Sequence, residues 1–170
     1  MPKLIVLFYG AESPASSLAE AAAHGAGHVR FTEVELLAGG AHEAGTGKGY
    51  PRLSSAASLA DYAGILIACP AAGEIPGDLD RLLTELARSP DRTFLNTVFG
   101  VSGGDNTVLL GRVARLGGII VAEPRGAIDP EARARVLGER VAKVVSWVRH
   151  SLGHEGHDGD AHGHGHGHSH

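Results

Sequence analysis

The sequence predicts an α/β protein, a doubly wound sheet of five parallel strands in the order 2-1-3-4-5. Three observations predict it. Short apolar runs without clean alternation recur along the chain, as strands buried on both faces require. Segments with helical spacing of apolar residues separate them, the pattern of repeated β-α units. Each run also ends in a turn rich in Gly, Pro, Ser or Asp. In such a sheet the topological switch point falls between strands one and three, and ligands sit at the carboxyl ends of the strands. Three loops converge there: Gly10–Pro14, Pro70–Gly77 and Ser102–Asp105.

The first strand is Lys3–Tyr9, and the turn Gly10-Ala11-Glu12-Ser13-Pro14 leads into a helix over Ala15–Ala26 with Leu18, Ala22 and Ala26 at helical spacing. Ser13 suits the cap and Pro14 the first helical position. A strand feeding a helix this way aims the helix amides at whatever lies above the strand, a ready anion site. Gly25 and Gly27 end that helix, and Val29–Leu37 reads as the second strand. Ala38–Arg52 is a long Gly-rich loop, mobile or functional. Its Thr46-Gly47-Lys48-Gly49 does not meet the phosphate-loop pattern, because Gly follows Lys48 and no strand leads in. A short helical segment spans Ser54–Tyr62. The third strand is Gly64–Cys69, followed by a helix over Asp78–Arg88 with Leu79, Leu82, Leu83 and Leu86 inward. Thr93–Val101 is the fourth strand, Asn106–Leu116 the next helix, and Gly118–Glu123 the fifth strand. Asp129-Pro130-Glu131 supplies cap, proline and acid for a last helix. It runs to about Leu152, with Val136, Val141, Val144, Val145 and Val148 on its apolar side.

Composition narrows the function classes. The chain has 170 residues and is 43% hydrophobic but only 5% aromatic, so one domain with an aliphatic core is expected. A formal charge of −4 without a Lys/Arg cluster argues against nucleic acid and anionic membrane as partners. Cys69 is the one cysteine, which rules out an internal disulfide and fits a reducing, cytoplasmic compartment. No apolar run approaches the roughly 20 residues of a membrane helix, and Leu4–Tyr9 is short for a signal-peptide core.

Individual residues carry alternatives. Ser13 is a helix cap or a phosphate contact. Ser102, Gly103 and Gly104 form an ordinary turn or offer amides to a planar ligand. Cys69 is a small buried hydrophobe or a redox thiol, and Tyr9 is core or flanks a ring. His24 and His28 fall near the far end of the first helix, on the surface and away from the cleft, so no Ser/His/Asp arrangement includes them.

The segment 153–170 differs from the domain, residues 1–152. It is Gly, His, Asp and Glu with little apolar content, the composition of a disordered tail. His154, His157, His162, His164, His166, His168 and His170 alternate largely with Gly, and Glu155, Asp158 and Asp160 add carboxylates. Neutral imidazole suits Ni, Zn, Co and Cu. The expectation is buffering of several ions, lost as the imidazoles protonate below about pH 6.5.

Three stretches carry a family resemblance: Leu4–Tyr9 running into Leu18-Ala-Glu-Ala-Ala22; Leu59-Ala-Asp-Tyr62 followed by Ile65-Leu-Ile-Ala-Cys-Pro70; and Phe99 through Ser102-Gly103 with Gly117-Gly-Ile-Ile-Val121 beyond the next helix. Over residues 3–150 the chain resembles the flavodoxin-like superfamily, and within it the WrbA-type NAD(P)H:quinone oxidoreductases. The resemblance implies FMN as cofactor, NAD(P)H as hydride donor, a small quinone-like electron acceptor and a homo-oligomer. It implies cofactor contacts from Gly10, Ala11, Glu12, Ser13, Ser16 and Ser17 at the phosphate. Pro70, Ala71, Ala72 and Gly73, with Ser102, Gly103 and Gly104, would flank the ring, and no side chain would be catalytic. The family's first loop usually reads S/T-x-T-G-x-T. Here its hydroxyl positions fall on Gly10, Glu12 and Ala15, and its glycine on Ser13. Two readings follow: an FMN-binding redox protein, or a flavin-free domain of this fold that binds metal or partners through its tail.

Overall fold

The computed structural model describes residues 1–10, 12–40, 49–70, 74–89, 94–104, 106–126 and 129–154. Strands β1 (Lys3–Phe8), β2 (Glu33–Ala38), β3 (Gly64–Ala68), β4 (Val98–Ser102) and β5 (Ile119–Val121) form one parallel sheet in the order β2-β1-β3-β4-β5, as expected. Helices α1 (Glu12–Gly27), α2 (Gly77–Arg88), α3 (Thr107–Ala114) and α4 (Pro130–His154) cover its faces. A 3-10 helix, Ala56–Asp61, replaces the α-helical crossover between β2 and β3.

Side chains alternate across a strand, so the unbroken run of β1 divides between two cores. Leu4, Val6 and Phe8 pack with Leu66, Val98 and the inner faces of α1 and α4. Ile5, Leu7 and Tyr9 pack with Ile65, Ile67, Phe99 and the leucines of α2. Leu79, Leu82, Leu83 and Leu86 are all buried, as the spacing predicts.

On the first face the helices approach unusually closely. Gly25 and Gly138 stand opposite each other. A β-carbon on Gly25 would overlap the carbonyl of Arg135, and one on Gly138 would overlap that of Ala22. Each glycine thus faces the carbonyl three residues before the other. Two more glycines seat α4 on the sheet. A β-carbon at Gly64 would lie 2.6 Å from Val145, and one at Gly100 2.7 Å from Val141. Beyond Val145 the helix continues to His154, and its outer turns expose Trp147, which is 75% accessible.

Several boundaries differ from expectation. Helix α1 begins at Glu12, so Ser13 and Pro14 lie inside its first turn and Ser13 is not the cap. Proline is tolerated there because the first four helical amides have no intrahelical acceptor. Val29–Phe31 is not strand. The amides of His28 and Val29 bond back to Gly25 and Ala26, and Phe31 takes a left-handed φ of 65° and lies exposed. The fourth strand starts at Val98, not Thr93. Phe94 is buried against Phe99 from a turn closed by the Thr97 amide on the Phe94 carbonyl, so its apolarity mimics strand. Strand β5 has three residues rather than six, and α4 ends at His154 rather than Leu152. The long loop returns to the sheet: Ala38 donates to Pro51 and accepts from Leu53. Thr46, Gly47 and Lys48 lie outside the described residues. Asp129 caps α4 as expected, its Oδ1 accepting from the Ala132 amide at 3.0 Å.

Tyr62 donates to Glu35 Oε2 at 2.6 Å and ties β2 to the start of β3. Burial first, then the Glu35 carboxylate, pushes the Tyr62 hydroxyl up to about 12. The folded state therefore holds this proton more tightly than the unfolded chain. The stability it contributes is complete below pH 10 and is lost between about pH 10 and 12. Absorbance titration at alkaline pH should find this late-titrating tyrosine, moved down in E35Q. Gly138→Ala should destabilise by about 1–3 kcal/mol, the cost of overpacking. Gly111→Ala, in an exposed turn of α3 with nothing within 4 Å, should instead stabilise by about 0.5–1 kcal/mol. Denaturant midpoints separate the two.

Candidate functional site

Main-chain bonds past the named strands draw the upper ends of β1, β3 and β4 together. The Tyr9 amide donates to the Ala68 carbonyl at 3.0 Å, and the Cys69 amide to the Ser102 carbonyl at 2.8 Å. The loops that follow then interlock through two glycines with positive φ. Gly10 (φ 113°) turns the chain from β1 into α1, where a β-carbon would lie 3.9 Å from Pro70. Gly103 (φ 117°) packs flat on the Cys69–Pro70 backbone, with no room for any side chain. Only glycine adopts this conformation without strain and permits so close an approach.

Two side chains fix the third loop. Ser102 is fully buried, and its hydroxyl donates to Glu123 Oε1 at 2.7 Å. Asn106 precedes α3, but its amide does not cap the helix. It donates instead to the Gly103 carbonyl. The loop is thereby held at both ends while Gly104 stays exposed.

The site residues expected from sequence meet mixed outcomes. Gly10, Pro70, Gly103 and Gly104 do come together on one crest. Glu12 and Ser13 belong to the first turn of α1, next to that crest. Ser16 is buried and Ser17 half-buried, and the first four amides of α1 have no intrahelical acceptor. Pro14 removes one donor from that row. Ser102 is present, but its hydroxyl is engaged by Glu123. Ala11, Ala71, Ala72 and Gly73 lie outside the described residues. His154 closes α4, whereas His157, His162, His164, His166, His168 and His170 lie outside the described residues. Among the described residues no three of His, Cys, Asp and Glu are grouped to hold a metal ion.

Cys69 is buried as a small core residue. Tyr9 is buried under Gly39, which has no room for a β-carbon against the ring. Burial first, then Asp78, raises its hydroxyl pKa well above the usual tyrosine value. Above Tyr9 an open hollow of about 340 Å³ is lined by Gly39, Gly40, Arg52, Asp78 and Arg81, among others. Arg81 bonds Asp78 at 3.1 Å. Sequence reasoning missed Glu123 and Asn106. The Asn106 contact had a local signal, an Asn three residues past Gly103. Glu123 had none, since it reaches Ser102 only through the β4–β5 pairing.

No family model and no curated protein matches this chain. Solved structures do. A short-chain flavodoxin associated with a bacterial microcompartment superposes with a TM-score of 0.61 at 11% identity, over 85% of this chain and 99% of that one. A diflavin flavoprotein from Nostoc sp. gives 0.58 at 16% identity, over 89% and 97%. A flavodoxin from the domain Archaea gives 0.59 at 11% identity, over 85% and 99%. The chain therefore has the flavodoxin-like fold. No helix among the described residues is long and apolar enough to cross a membrane.

The crest predicts an order of mutational cost. Gly103→Ala should cost at least about 2 kcal/mol, from positive φ and collision with the Cys69 carbonyl. Ser102→Ala removes one hydrogen bond to a partly solvated carboxylate and should cost about 1 kcal/mol. Thermal melts of the two variants check the order.

Proposed function

We propose that this chain is an FMN-binding redox protein whose crest holds the cofactor mainly by backbone. The observation that carries this reading is the convergence of Gly10, Pro70 and Gly103 beside the N-terminus of α1, at the carboxyl ends of β1, β3 and β4. The free amides of the first turn of α1 face an anion with the favourable end of the helix dipole. Those of Glu12, Ser13 and Ala15 are the donors offered to a phosphate. Gly103 and Gly104 present main-chain groups to a planar ring, with Asn106 and Glu123 holding that loop rigid. The flavodoxins that superpose on this fold support the reading.

When bound, FMN would accept hydride from NAD(P)H and pass electrons to a small quinone-like acceptor. The chain's residues bind and orient it, and no side-chain acid or base is assigned a catalytic role. Such a protein suits a cytoplasmic setting, in keeping with its single buried thiol. A second reading rests on the sequence beyond the fold. The seven histidines from His154 to His170 would bind divalent transition metals with or without a flavin on the crest.

Absorbance of the protein after FMN addition and desalting tests the first reading. Retained flavin bands at about 370 and 450 nm are expected, and a protein that keeps no flavin sinks it. Pro14→Ala restores an amide to the first turn. It should tighten FMN binding roughly tenfold or more, since one hydrogen bond to a charged group is worth about 1.5 kcal/mol or more. Fluorescence titration measures this.

A further inference from the structure

We infer that Glu123 sets the reduction potential of the bound flavin, its carboxylate acting through space on the ring and not on the phosphate. The inference rests on the reading that the crest holds FMN. It assigns a redox role to a residue outside the three loops that would touch the cofactor.

The register across the carboxyl end of the sheet fixes where this charge stands. Phe8 of β1 pairs with Ala68 of β3, and Ala68 pairs with Ser102 of β4. Gly100 pairs with Val121 of β5, so Ser102 and Glu123, each two residues further on, stand opposite each other. Their hydrogen bond carries the alignment past the end of β5. The Ser102 hydroxyl, on a fully buried residue, donates to Glu123 Oε1 at 2.7 Å. Side chains alternate across a strand. Val98 and Val121 pack into the core under α1 and α4, so Ser102 and Glu123 share the face on which α1 begins. Glu123 is half-buried, and among the described residues no cation pairs its carboxylate.

That row of residues also gives the distances. Adjacent strands lie about 4.8 Å apart, so Glu123 is about 5 Å from the position of Ser102, about 10 Å from that of Ala68 and about 14 Å from that of Phe8. Gly103–Gly104 and Pro70, which would flank the ring, follow Ser102 and Ala68. The turn and helix start that would hold the phosphate follow Phe8. The phosphate end is thus beyond the Debye length of about 8 Å, and the ring, at about 7 Å, is within it. The oxidised ring is neutral. Taking up hydride from NAD(P)H adds two electrons and one proton, which leaves one negative charge on the ring and releases NAD(P)⁺. Charge near the ring is one of the means by which a protein tunes a flavin. Two like charges about 7 Å apart disfavour an equilibrium about 3-fold at the dielectric constant of water and about 50-fold at an effective value of 20. Glu123 therefore weakens the hold on reduced FMN, leaves the hold on oxidised FMN alone, and so lowers the potential.

The test uses the full chain loaded with FMN, potentiometric titration against a reference dye, and fluorescence titration with oxidised FMN. E123Q keeps an oxygen for the Ser102 hydroxyl and drops only the charge. Its potential should rise by about 15–50 mV, the same 3- to 50-fold at about 30 mV per tenfold for two electrons. Its Kd for oxidised FMN should stay within about twofold of wild type, because the phosphate end is screened. E123A, which drops the charge and the bond together, should also raise the potential and gives a second reading should E123Q not fold. An unchanged potential in both variants, or an equal change in affinity for both oxidation states, overturns the inference while the FMN reading stands. A wild-type chain that keeps no FMN overturns both.

Discussion

The fold depends on one close contact, the mutual approach of Gly25 and Gly138. Their lack of side chains lets α1 and α4 pack backbone against backbone on one face of the sheet. Gly64 and Gly100 extend the same device inward, each receiving a valine of α4. A core this poor in aromatic residues has few large side chains to fill wide gaps. It reaches native density by bringing the main chains closer. Alanines at positions 15, 19, 22, 26, 134 and 142, all fully buried, finish that surface.

With one face fixed, the strand ends are fixed too, and the loops above them have little freedom. Gly10 and Gly103 bend in conformations other residues avoid, and both meet Pro70. The Ser102–Glu123 bond spans two strands and joins the centre of the crest to the sheet edge. In the function proposed above, this backbone cradle stands in for the hydroxyl-rich loop that the resemblance would supply. Pro14 sets its limit, because a helix that starts at Glu12 turns a good N-terminal residue into a missing donor.

Much of this was legible in the sequence. The even apolarity of Lys3–Tyr9 and the leucines of α2 report burial through simple periodicity, and strand order followed from the count of β-α units. Failures came where apolar residues served something other than a strand. Phe31 is exposed in a left-handed turn, and Phe94 is buried from a loop. The helix start at Glu12 was missed because Ser-Pro reads equally well as cap and first residue or as two first-turn residues. The crest was foreseen as three loops, but not its fastening. Glycine codes for close approach only when the opposing element is known, so Gly25 read as a helix end and Gly138 carried no signal.

The outer turns of α4 have a practical consequence for spectroscopy. Trp147 is the sole tryptophan, and it stands in solvent away from both cores. Its emission is that of a hydrated indole in the native state, so loss of the sheet would change it little. Tryptophan emission is thus a poor reporter of unfolding, and the buried Tyr9 or far-ultraviolet circular dichroism must report on the domain itself.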